Sequence, residues 1–179
     1  MHIQCDHELM NELGVTVLSK QRLASHSPAT ILGQWYATKL KILNSDFLMY
    51  VHAKSLYSTI DVLESSSRVF WDQSLLNLRG KVLETLSADH ALNEMQMDHL
   101  VHPFRTVTVG HVSSRHMNRI IRGIGRVYQK QITRIRQASD AGEVRLWEIE
   151  DIINHARRTN LGDASPAEIL CELVSSGIH

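Results

Sequence analysis

ATKLKILNSDFLMYV, residues 37–51, decides the fold. In its first half Lys39 and Lys41 point one way and Leu40 and Ile42 the other, the two-residue period of a strand. Asn44, Ser45 and Asp46 are turn formers. Phe47 to Val51 is then an unbroken apolar run, as in a strand covered on both faces. The stretch predicts a β-hairpin closed by a three-residue loop over 44–46.

Working outward, Met1 to Cys5 reads as a short strand, and Asp6 as the cap of a helix carrying Leu9, Met10 and Leu13. Residues 15–30 form a mixed segment ending in a loop at Pro28. Ile31, Leu32 and Trp35 lead into the hairpin. Trp35 and Tyr36 are adjacent on a strand and so face opposite sides, which predicts one ring in the core and one turned outward. The outward ring has a stacking role as its sharper reading. Leu56 to Leu63 is rich in β-branched residues and reads as a third strand.

The pattern then turns helical. Val69, Phe70, Leu75, Leu76, Val82, Leu83 and Leu86 recur at three and four, with Gly80 interrupting. Residues 87–97 continue as a helix or helical turn, and Thr106 to Val109 is strand-like. Ser113 or Ser114 caps the longest helix, to about Gln137. Another helix is expected over 143–158. Ser165-Pro166-Ala167-Glu168 marks the start of a last one: an N-cap, a proline at the first helical position and an early acid. The order predicts a single α+β domain over 1–179. Its small antiparallel sheet of three to five strands, mainly in 1–63, packs against a mainly helical 64–179.

The chain has 179 residues, and 19 Lys and Arg balance 19 Asp and Glu. The balance is not uniform. Between Asp98 and Asp140 no acid occurs, while Arg105, Arg115, Arg119, Arg122, Arg126, Lys130, Arg134 and Arg136 do. That segment carries +8, so the rest carries −8 (11 basic against 19 acidic). Such separation creates a strong local field in a neutral chain and suits an anionic partner.

On a helical wheel at about 100° per residue, Arg119, Arg122, Arg126 and Lys130 fall within about 60° of Arg115, and Arg134 at about 100°. Met117, Ile120, Ile121, Ile124, Val127, Tyr128, Ile132 and Ile135 take the opposite side, as a packed apolar face. The cations form a row about 28 Å long. Guanidinium groups pair bidentately with phosphate, so Arg115, Arg119, Arg122, Arg126, Lys130 and Arg134 are the candidate anion-binding residues. The expected function is contact with nucleic acid, DNA or RNA, or with an acidic protein. Self-association through this row is the alternative. A third reading is a solvated face answered by Glu143, Glu148, Glu150 and Asp151 downstream.

Five of the eleven histidines are His90, His99, His102, His111 and His116. His99 and His102, near Asp89 and Asp98, have a spacing that two metal ligands on one turn could use. Pro103 opposes a helix there, and no H-E-x-x-H occurs. No metal and no cofactor are expected. With Arg115, His99, His102 and His111 could instead cleave RNA by general acid–base chemistry, giving a His-dependent nuclease or metal-dependent hydrolase as a further alternative. No G-x-S-x-G, Walker A or G-x-G-x-x-G pattern is present.

Cys5 and Cys171 stand at opposite ends with no C-x-x-C, so reduced thiols are expected. The first six residues lack the basic leader and apolar stretch of a signal peptide. No apolar run reaches the roughly 18–20 residues of a membrane helix. These features predict a cytoplasmic protein with no membrane partner.

Leu32-Gly33-Gln34-Trp35-Tyr36-Ala37, Phe47 to His52, Ser55 to Ser58 and Ser113 to Arg119 together are similar to a small bacterial family of uncharacterised domains with a Leu-Gly-x-Trp-Tyr-Ala strand. The resemblance implies an α+β cytoplasmic domain of bacterial origin. It transfers no activity and no catalytic residue.

Overall fold

The computed structural model describes residues 1–12, 32–63, 68–89, 107–111, 114–138 and 144–177. Strands β1 (His2–Cys5), β2 (Gln34–Ile42), β3 (Ser45–His52), β4 (Ser58–Val62) and β5 (Thr108–His111) form one sheet in the order β4-β3-β2-β1-β5. The helices are α1 (His7–Glu12), α2 (Arg68–Asp89), α3 (Arg115–Ala138), α4 (Leu146–His155) and α5 (Pro166–Gly177). The class is α+β.

The sheet is mixed rather than antiparallel throughout. β2, β3 and β4 pair antiparallel, as the hairpin pattern requires. β1 runs parallel to both neighbours, with Ile3 opposite Trp35 on one side and Val109 on the other. The hairpin turn is also tighter than expected. Ile42 pairs with Ser45, so only Leu43 and Asn44 connect the strands, and Leu43 takes the left-handed conformation at φ 55. Two-residue hairpin turns need such a residue to match strand twist.

Helices cover both faces of the sheet. On one face Ile3, Trp35, Leu48 and Tyr50 pack with Leu78, Val82 and Leu86 of α2 and with Leu170 and Val174 of α5. On the other, Tyr36, Phe47, Met49, Val51 and Ile60 pack with Ile121, Ile124, Tyr128 and Ile132 of α3 and with Ile149 and Ile153 of α4. The unbroken apolar run of β3 is thus covered on both sides. The same layering corrects the expectation for the adjacent aromatics: Trp35 and Tyr36 do face opposite ways, but both are buried. Neither is available for stacking on a ligand.

Local signals set the helix starts. Asp6 accepts the Leu9 N–H at 2.8 Å, and Ser114 accepts that of Met117 at 3.3 Å. Ser165 and Glu168 form a reciprocal capping box, with Ser165 N–H to Glu168 Oε2 at 2.7 Å and Glu168 N–H to Ser165 Oγ at 3.2 Å. A Cβ added at Gly125 would lie 2.9 Å from Leu40 Cδ2, so this glycine lets α3 approach β2 closely.

Cys5 and Cys171 form no disulfide, and both are buried in the α2/α5 core. Burial, with Asp6 adding to it, pushes the Cys5 thiol up to about 12. His52 is also buried. Its Nδ1 lies 2.8 Å from Ser55 Oγ, and its ring tilts against Trp35 at 5.1 Å. Desolvation lowers its pKa to about 4. A histidine held neutral in the fold but free to protonate when unfolded, near pH 6.5, stabilises the fold fully only above that pH. Stability is therefore expected to fall by about 3 kcal/mol as pH drops from 7 through 4. Urea titrations across that range, with His52→Gln lacking this component, check it.

Candidate anion-binding face and a buried ionic network

The row of cations on α3 is displayed outward. Ile121, Ile124, Tyr128 and Ile132 anchor the helix to the sheet. Arg115, Arg119, Arg122, Arg126, Lys130 and Arg134 are all exposed, as is Arg136. Arg115, Asn118, Arg119, Arg122 and Arg126 line an open groove of about 530 Å³. Among the described residues no carboxylate lies within ion-pairing distance of the six candidate cations. The acids just downstream do not answer the row. Glu148 pairs with Arg145 at 3.2 Å, Asp151 with His155 at 2.9 Å, and Glu150 is buried. Glu143 lies outside the described residues.

His90, His99, His102 and Arg105 also lie outside them. His111 and His116 are exposed. His111 lines a separate cavity of about 260 Å³ with Asp6, Thr38, Asn118, Ile121 and Arg122. Asn118 and Arg122 line both this cavity and the arginine groove, whereas Arg115 lines only the groove. Asp6 is already engaged, accepting from Leu9 N–H and from the Thr38 hydroxyl. Among the described residues no three His, Cys, Asp or Glu side chains converge as metal ligands do.

The sequence reading missed a second constellation. Lys81 of α2 donates to Asp61 Oδ1 at 2.9 Å, Glu150 Oε1 at 2.8 Å and the Ile60 carbonyl at 2.9 Å. Ser74 donates to Asp61 at 2.8 Å, and the Ile60 N–H to Glu150 at 2.6 Å. Asn154, one turn on, accepts from Ser58 N–H at 2.9 Å and donates to Ser58 carbonyl at 2.8 Å. Tyr128 also donates to that carbonyl at 3.0 Å. β4 ends the sheet, and these side chains fill the hydrogen-bonding places that another strand would take. Burial opposes the charge on Lys81, but Glu150 and Asp61 outweigh it and raise the pKa. Burial raises that of Glu150 despite Lys81. The network borders a cavity of about 350 Å³ between α2 and α4, with Trp147 at its wall. Every polar group named in it is already paired, so its chemistry is that of a lock on the sheet edge. The sequence signal was Glu150 and Asn154 at i and i+4, beside Ile149 and Ile153 on a helix with an apolar face.

The family defined by a domain of unknown function, DUF6933, matches residues 2–168. The chain belongs to this family. The match spans every described strand and the whole of α3. Comparison with curated proteins finds no match. Membership of DUF6933 thus agrees with the resemblance to an uncharacterised domain and assigns no activity to either constellation. Among the described residues no helix is long and apolar enough to cross a membrane.

Proposed function

We propose that this DUF6933 member is a binding protein whose α3 face, Arg115 to Arg134, holds a polyanion, with nucleic acid as the polyanion of matching chemistry. One observation carries the reading: six exposed cations share one helix face, and no described carboxylate neutralises them. Five of the six are arginines, whose planar forks suit phosphate oxygens better than an ammonium does. The helix is fixed to the sheet along its opposite face, so the backbone that carries the row is pre-organised and the ordering cost of binding falls on the side chains.

The test is a salt titration of binding to a labelled oligonucleotide. Six phosphate contacts give a slope of log affinity against log salt of roughly −4 on a single strand, hence a loss of a few hundredfold between about 50 and 200 mM. No binding at low salt, or binding indifferent to salt, rejects the reading. A salt-sensitive rise in molecular mass without oligonucleotide would favour self-association instead.

A further inference from the structure

The arginine groove meets a second groove at a single residue. The second lies between α3 and α4, measures about 520 Å³, and is walled by Ile120, Ile124, Val127, Ile152 and Ile153. Gly123 lines both grooves. On the wheel it sits about 80° from Arg115, after Lys130 at about 60° and before Arg134 at about 100° and Val127 at about 120°. It is the seam between the charged row and an apolar flank.

Gly123 differs from Gly125. A Cβ at Gly123 would meet nothing within 4 Å, so no packing inside the chain requires a glycine there. A glycine in a helix interior costs about 1 kcal/mol relative to alanine. Beside it, Val127 and Ile152 are 45% and 57% exposed. The seam is open, apolar on one side and cationic on the other.

We propose that the seam takes a single-stranded nucleic acid, its phosphates along Arg115, Arg119, Arg122 and Arg126 and its bases laid across Gly123 onto Val127 and Ile152. The inference rests on the polyanion reading and adds strandedness to it. From Arg115 to Lys130 the cations are three or four residues apart, one about every 6 Å in a single row, a spacing that suits one extended backbone. A duplex also offers phosphates along each strand, about one per 3.4 Å of axis, but it turns its bases inward, leaving the apolar flank nothing to bury. Unpaired bases offer apolar faces of any sequence. An acidic lipid surface would satisfy the cations. The main apolar face of α3 is already buried on the sheet, however, and only its edge is left to enter a bilayer.

The test compares three labelled probes on the full chain: a mixed-sequence single strand of about a dozen nucleotides, the same sequence as a blunt duplex, and linear polyphosphate of similar charge. The single strand is expected to bind about tenfold tighter than either other probe, the worth of about 55 Å² of apolar surface covered by a base. Val127→Ser with Ile152→Ser, both at exposed positions, removes that advantage and leaves polyphosphate binding unchanged. Gly123→Leu, which fills the seam, weakens single-strand binding in the same way. Equal affinity for all three probes overturns this inference while the polyanion reading stands. So does an unchanged single-strand preference in the double variant. Failure of all three probes to bind overturns both.

Discussion

Glu150→Ala is expected to lower the free energy of unfolding by roughly 3–5 kcal/mol. Glu150 is 6% exposed and makes two contacts at once, with Lys81 at 2.8 Å and with the Ile60 N–H at 2.6 Å. Alanine removes both. It leaves a partly buried ammonium with Asp61 as its one remaining carboxylate, and an edge-strand N–H without its carboxylate acceptor. Uncompensated buried groups of this kind are far more damaging than the loss of an exposed pair. Glu150→Gln keeps an acceptor for Ile60 and loses only the charge, so its destabilisation is smaller. Urea unfolding of the two variants beside the parent gives the answer. A loss below about 1 kcal/mol in the alanine variant would mean that the network is dispensable to the sheet edge.

Trp35→Ala is expected to lose roughly 3–5 kcal/mol, through a cavity rather than a charge. Trp35 is fully buried in the centre of the sheet. Its Nε1–H donates to the Leu32 carbonyl at 2.9 Å, and its ring packs against His52 at 5.1 Å and edge-on to Tyr57 at 6.4 Å. Alanine empties the space between β2 and the α2/α5 layer and takes one of its donors from the Leu32 carbonyl, which keeps the His52 ring as a partner. Trp35→Phe retains most of the volume, and its loss is expected to be less than half as large. Both are read from the midpoint and slope of urea unfolding, with an unchanged slope showing that the folded state is otherwise kept.

The hairpin and the helix starts were legible because each rests on local chemistry. Alternation at Lys39–Ile42, the run Phe47–Val51, the Asp6 cap and the Ser165–Glu168 box all fix structure within a few residues. The direction of β1 was not legible. A four-residue strand carries no mark of which way its neighbours run, and its partners Trp35 and Val109 lie about 30 and 100 residues away. The turn was misplaced because Asn44 is the better turn former, while the left-handed residue is Leu43.

The cation row was legible in full, since helical period and charge alone place Arg115 to Arg134 on one face. Its outward display needed the structure, and so did the fate of Glu150. As a letter in the sequence Glu150 is one of several acids near the row. Only the bare edge of β4 explains why it turns inward to Lys81. The difference between Gly123 and Gly125 was equally hidden, because the two are indistinguishable until Leu40 is seen against one and nothing against the other.

The most direct test of the binding face is the salt slope of the Arg119→Glu, Arg122→Glu, Arg126→Glu variant against the parent, on one single-stranded oligonucleotide. All three positions are exposed, so the fold is expected to survive, as circular dichroism would confirm. The account predicts a slope shallower by about 2, the share of three lost phosphate contacts, and affinity at low salt reduced more than a hundredfold. An unchanged slope and affinity in the folded variant would contradict it and place any polyanion elsewhere on the molecule.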